Sequence, residues 1–202
     1  MRMNACIDTD RITPGFADPV FDSQQSFRAI MDAMTHPGRK GVVPEALTPP
    51  EPVNCASAAI CLSLLDFETP FWSDLNPGTP ALEWLNFHSG CKIVSHTYDA
   101  LFALVTDLSA LPPLHHFRIG TDECPDTSTT LIVQVEGFAM KNGKRLTGPG
   151  IPTSRRLSVG GIPGTFWEQW HAQFEIFPLG VDVIFTFENC LAALPRSTRV
   201  GG

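Results

Sequence analysis

The sequence predicts an α/β domain with a mixed, mostly parallel sheet covered by helices. Three observations carry this. Segments with helical periodicity alternate with β-rich segments through most of the chain. Thr129 to Glu136 (TTLIVQVE) is rich in β-branched residues and nearly all apolar, as a strand buried on both faces is. Val181, Val183, Phe185 and Phe187 alternate with Asp182 and Thr186, which is strand period. With 202 residues, 43% of them apolar, the chain can bury one substantial core. A flexible leader is expected over 1–14 and a single domain over 15–200.

The elements are expected in this order. Asp22 caps a helix with Gln25 at its third position, and Phe27, Ile30, Met31 and Met34 form its apolar face. His36-Pro37-Gly38 stops it. Asn54 caps a second helix that runs to about Leu65. Asp66 to Trp72 is extended. Thr79-Pro80 opens a third helix, with Leu82, Leu85 and Trp84 inward and Gly90 ending it. Cys91 to His96 is a short strand, and Tyr98 to Asp107 is apolar enough for a further helix. Phe166 to Phe174 is an aromatic helix whose rings suit a core or an interface. Asn189 to Leu194 is a last short helix and Arg196 to Gly202 a tail.

Composition narrows the function. A net charge of -7 with four lysines disfavours nucleic acid or an anionic membrane as partner, since both reward dense positive charge. The N-terminus has no apolar signal-peptide core and no apolar run is long enough to span a bilayer, so a cytoplasmic protein is expected. The six cysteines have no CxxC spacing and read as buried or half-buried thiols. The six histidines include no i, i+4 pair that would gather a metal. No GxSxG nucleophile elbow occurs.

One segment stands apart: Lys141 to Arg156, KNGKRLTGPGIPTSRR. Asn142-Gly143 is a tight-turn signal. Thr147, Gly148, Pro149 and Gly150 combine a hydroxyl, bare backbone and a stiff proline, and Arg155 and Arg156 add forked cations. Two readings stand side by side. The segment is a hairpin with a solvated basic tip, or it is a surface that contacts a phosphate-bearing ligand or a partner. In the second reading the two arginines grip phosphate oxygens or partner carboxylates bidentately. In either, their removal leaves the fold intact.

Several blocks, taken together, resemble the H-subunit family of the bacterial carbon–phosphorus lyase system (PhnH). They are GFADPVFDSQQSFRAIMDAMTHPGR at Gly15 to Arg39, LLDFETPFW at Leu64 to Trp72, WLNFHSG at Trp84 to Gly90, and LTGPGI at Leu146 to Ile151. FPLGVDVIFT and then ALPRSTRV follow between Phe177 and Val200. The resemblance implies a fold like the large domain of fold-type I pyridoxal-phosphate enzymes, but without the cofactor. It implies a homodimer that assembles with G-, I- and J-type subunits. It also implies support for the step that transfers the ribose triphosphate of ATP to an alkylphosphonate with release of adenine. ATP or the phosphonate would then be a ligand of the complex, and this chain a non-catalytic or supporting subunit of the transferase. A separate radical subunit breaks the carbon–phosphorus bond.

The residues agree with that division of labour. None of Lys40, Lys92, Lys141 and Lys144 sits in the Ser/Thr-rich context of a Schiff-base lysine. No cysteine cluster offers to hold iron and sulfur. The family supplies no catalytic residue to carry over. The competing reading is a stand-alone enzyme acting on a small phosphorylated metabolite at the LTGPGI loop.

Overall fold

The computed structural model describes residues 12–44 and 47–201, without the side chains of 140–142. In chain order the elements are α1 (Pro19–Thr35), β1 (Lys40–Val42), α2 (Cys55–Leu64), β2 (Pro70–Ser73), α3 (Pro80–Ser89), β3 (Lys92–Ile93) and β4 (Phe102–Val105). They continue with β5 (Thr130–Gln134), β6 (Phe138–Gly148), β7 (Ile151–Val159), α4 (Gly164–Phe174), β8 (Asp182–Phe187), β9 (Cys190–Leu194) and β10 (Arg199–Gly201). Short 3-10 turns join several of them.

The domain is built on a seven-stranded mixed sheet ordered β1-β9-β8-β5-β4-β2-β3. The run from β8 to β3 is parallel, and β9 returns antiparallel beside β8. Its central strands are apolar on both faces, as parallel strands covered on both sides must be. Leu104, Ile132, Ile184, Leu191 and Ala193 face α1, α2 and α3. Their neighbours Val105, Leu131, Val133, Val183, Phe185 and Leu194 face the other way, toward α4 and a second sheet. That second sheet has three antiparallel strands, ordered β10-β6-β7. Nothing in the hydrophobic pattern had separated it from the main sheet.

The caps explain where the helices lie. Asp18, not Asp22, caps α1: its carboxylate accepts N–H bonds from Val20 and Phe21 at 3.2 and 3.0 Å, and Pro19 sits in the first turn. Asp22 is buried and accepts the Asp18 N–H at 3.0 Å. The helix therefore starts a turn earlier than expected, and its inward face differs too. Ser26, Ile30 and Ala33 are buried, whereas Phe27 and Met31 remain 46% and 45% exposed. Asn54 caps α2 by accepting the Ser57 N–H at 2.8 Å, and Gly90 ends α3 in the left-handed conformation, both as expected.

Three expected elements differ. Tyr98 to Asp107 is not a helix but a 3-10 turn followed by β4, buried in mid-sheet. Asn189 to Leu194 is β9, and pairing with β8 and β1 overrides the helix preference of its two alanines. Arg196 to Gly202 is not a loose tail, since β10 pairs with β6 and buries Val200. Short apolar runs do not distinguish strand from helix, and here the sheet decides.

Most of the expected leader lies outside the described residues. Within them, Thr13 is docked: its carbonyl accepts the indole N–H of buried Trp84 at 2.7 Å. On α4, Phe166 and Trp170 are core residues at 1% exposure, so this helix does not present the exposed aromatic face an interface would need. No described helix is long and apolar enough to cross a membrane.

Candidate functional site

The singled-out segment is a β-hairpin, but its turn is at Gly148-Pro149-Gly150 and not at Asn142-Gly143. The latter lies within β6, where the pairing with β7 shifts register between Ala139 and Lys144. Gly143 packs so closely on the Leu157 carbonyl that a side chain there would collide with it.

The tip is fitted against the end of α1. Gly150 has φ +76°, and a Cβ there would run into the Thr35 carbonyl oxygen. Gly38, at φ +72°, packs on the Leu146 side chain, where a Cβ would stand 2.6 Å from Cδ1. Arg155 closes the junction: its Nη1 donates to the carbonyls of His36 and Pro37 at 2.9 and 3.0 Å. On the other side Gly148 abuts the Ser197 carbonyl, and Thr147 pairs with Arg199 of β10. The HPG, LTGPGI and PRSTRV blocks thus meet at one place.

This geometry separates the two arginines. Successive residues of a strand point to opposite faces. Arg155 lies on the face of buried Ile151 and Leu157, while Arg156 lies on the exposed face and donates to the Gly143 carbonyl at 3.0 Å. The two guanidinium groups therefore leave β7 on opposite faces. Thr147, Gly148, Pro149 and Gly150 are at least partly exposed at the tip, where Pro149 remains available to a partner surface.

A second location follows from topology, and sequence reasoning missed it. Parallel sheets bind ligands outside the carboxyl ends of their strands, above all where the chain changes winding direction. Here β2 leads outward to β3, while β4 leads to β5 on the other side, so the change falls between β2 and β4. That crevice is occupied by Asp74. Its carboxylate accepts the Thr106 N–H at 2.8 Å, the Thr106 hydroxyl at 3.0 Å and the Asp107 N–H at 2.9 Å. The backbone donors that elsewhere greet a ligand phosphate are already satisfied by the protein's own anion.

Beside it, a cleft of about 460 Å³ opens at the ends of β4, β5 and β8, lined among others by Asn54, Asp107, Gln134, Glu136 and Glu188. Gln134 fixes its floor, accepting the Asn54 N–H at 2.7 Å and donating to the Pro52 carbonyl at 2.8 Å. Glu188 has φ +53°, unusual for a residue with a side chain, and its carbonyl accepts the Ala56 N–H at 2.8 Å. Hydrogen bonds from the Ser109 side chain and backbone hold the Asp107 carboxyl below the usual carboxylate range. Among the described residues the cleft thus carries three carboxylates and no lysine or arginine. A polyphosphate entering it would meet like charge without a counter-charge.

The chain's residues 14–201 match the family model described as bacterial phosphonate metabolism protein (PhnH). The chain belongs to the PhnH family. It is similar to the alpha-D-ribose 1-methylphosphonate 5-triphosphate synthase subunit PhnH of Rhizobium meliloti (strain 1021), with 38% identity over 190 residues covering 92% of this chain and 93% of the relative. It is also similar to the putative C-P lyase subunit protein HtxG of Stutzerimonas stutzeri, with 31% identity covering 88% of this chain and 85% of that protein. The blocks quoted for the PhnH resemblance include those that build the α1–hairpin junction.

The remaining candidates are structural. Cys61 and Cys91 are buried, and burial pushes both thiols above their usual range, which makes them poor nucleophiles. Cys124 is exposed, and Cys6 lies outside the described residues. Among the described residues no three His, Cys, Asp or Glu side chains come together as a metal site would need.

The two arginines should separate in a stability measurement. Arg155→Ala leaves two carbonyls of the α1 terminus without their cation and should cost about 1–3 kcal/mol in urea unfolding. Arg156→Ala, on the exposed face, should cost less than about 1 kcal/mol. Equal effects would contradict the junction.

Proposed function

We propose that this chain serves as a subunit of the synthase that transfers the ribose triphosphate of ATP to an alkylphosphonate and releases adenine, and that it supports the reaction without carrying its chemistry. The observation behind the supporting role is the state of the strand ends. Asp74 fills the crevice at the change of winding, and the adjoining cleft is acidic. The family match over nearly the whole chain supports the pathway, and the relatives' names supply the complex. G-, I- and J-type subunits are the partners we infer, in the cytoplasm.

Two of the four lysines, Lys40 and Lys92, support the cofactor reading. Lys40 is on an edge strand, where its ammonium donates to the Phe138 carbonyl at 3.1 Å. Lys92 is exposed on β3, the opposite edge. Neither reaches the strand-end cleft, where an aldehyde cofactor would need an amine. The mixed sheet with α1, α2 and α3 on one face supports the likeness to a fold-type I large domain with the cofactor chemistry lost. Purified chain incubated with ATP and methylphosphonate should release no adenine, and borohydride after pyridoxal phosphate should trap no stoichiometric adduct. Adenine release should begin when the partner subunits are added. Turnover by the chain alone would overturn the supporting role and favour a stand-alone enzyme.

A homodimer is the second part of the proposal. Its support moves from α4 to α1. Val20, Phe27 and Met31 recur on the outer side of that helix at 83%, 46% and 45% exposure. Sedimentation should give about twice the 22.1 kDa chain mass, and Phe27→Asp should shift it toward the monomer. A wild-type monomer at micromolar concentration would refute this.

A further inference from the structure

We infer that the end of the sheet opposite the acidic cleft holds a preformed site for a small, flat, uncharged ring compound that presents a hydrogen-bond acceptor at its edge. The site is a cavity of about 430 Å³ between the 3-10 turns at Thr97–Asp99 and Leu114–His116 and the last turns of α4. This is within the size range of small-molecule sites. It lies where the chain enters β4 and β5, whereas the acidic cleft lies where those strands end.

The walls select the ligand. Tyr98, His115 and Phe117 contribute rings, and Ile119 and Ile176 contribute aliphatic surface. Phe117 is 1% exposed and held edge-on by Trp72, with ring centroids 6.1 Å apart, so the floor is rigid. Among the described residues no Asp, Glu, Lys or Arg lines the cavity, in a protein of net charge -7. A charged ligand would find no Asp, Glu, Lys or Arg countercharge among the described lining residues.

Two glutamines add amide groups to the Tyr98 hydroxyl and the His115 imidazole at the cavity wall. Gln173 is spent: it donates to the Val181 carbonyl at 2.9 Å and accepts the Val181 N–H at 2.8 Å. Gln169 is half spent. Its Oε1 accepts the Leu114 N–H at 2.6 Å, which fixes the amide's orientation. Its Nε2 has no hydrogen-bond partner among the described residues. That amide group stands at the cavity wall and is free to donate to an acceptor on a bound ring.

The cavity is also held open by its own surroundings. Thr97 Oγ1 donates to the His116 carbonyl at 2.8 Å, tying the two turns together. Gln169 ties the second turn to α4, and the Gly180 N–H ties the loop beyond α4 to the Ile119 carbonyl at 2.9 Å. Binding therefore costs little ordering of the protein.

The test is saturation-transfer NMR on the full chain with quinoline, which is flat, neutral and an acceptor through its ring nitrogen. Indole offers only a donor at its edge, and benzoate is charged. Quinoline should bind with a dissociation constant below about 1 mM, more tightly than indole, and benzoate should not bind. Ala172→Phe fills the cavity from the α4 surface and should weaken quinoline at least about tenfold. Gln169→Glu keeps the acceptor for Leu114 but removes the donor, and should weaken quinoline while sparing indole. If Ala172→Phe lowers the melting temperature, Gln169→Glu carries the test alone. Absence of saturation transfer would overturn the site. So would equal affinity for indole and quinoline with no effect of Gln169→Glu. If quinoline binds the chain alone but is excluded from the complex reconstituted with partner subunits, the occupant is a partner side chain and the small-molecule assignment fails.

Discussion

The Arg155 guanidinium, spanning two carbonyls at the end of α1, is the contact on which the arrangement of the two sheets depends. The carbonyls of the cap residue His36 and of Pro37 just beyond α1 project toward the hairpin and need donors. Here the donor comes from a strand of the other sheet, 118 and 119 residues away in the chain. The contact ties the chain leaving α1 to the hairpin. It also demands close approach, which is why Gly38 and Gly150 carry positive φ where helix end and hairpin tip touch. The small sheet is thereby fixed over the β8–β9 side of the main sheet, where Leu146, Leu157 and Val200 join the second core.

The same logic accounts for what the domain does not offer. The carboxyl ends of parallel strands are natural sites for anionic ligands because backbone donors converge there. In this chain those donors point at Asp74, and carboxylates rim the adjoining cleft. Positive charge is instead spent on holding the protein together. Besides Arg155, Arg196 is paired with largely buried Asp182 at 2.5 Å.

Much of this was legible from residue order, for identifiable reasons. Buried parallel strands such as β5 announce themselves by uniform β-branched content, and Asn54 and Gly90 are capping residues whose roles are local. The elements that differ from expectation are those whose conformation is chosen by partners far away. FALV at β4 and CLAAL at β9 have no local preference strong enough to resist the sheet. The α1 face misled because two apolar stripes overlap on one helix, only one of which meets the core. At the hairpin the residues singled out do come together, but alternation along β7 separates Arg155 from Arg156. The winding change at Asp74 left no local signal, because it exists only once the strand order is known.

The measurement that bears most directly on the junction is amide hydrogen exchange on the wild-type chain and on Gly150→Ala, whose added methyl must push the tip off the Thr35 carbonyl. The account predicts that the amides of 146–151 and those of the last turn of α1 lose protection together, while β5 in the main sheet keeps its own. If the tip loses protection and the end of α1 does not, the two are not one structural unit, and Arg155 is only a neighbour of the helix it was held to complete.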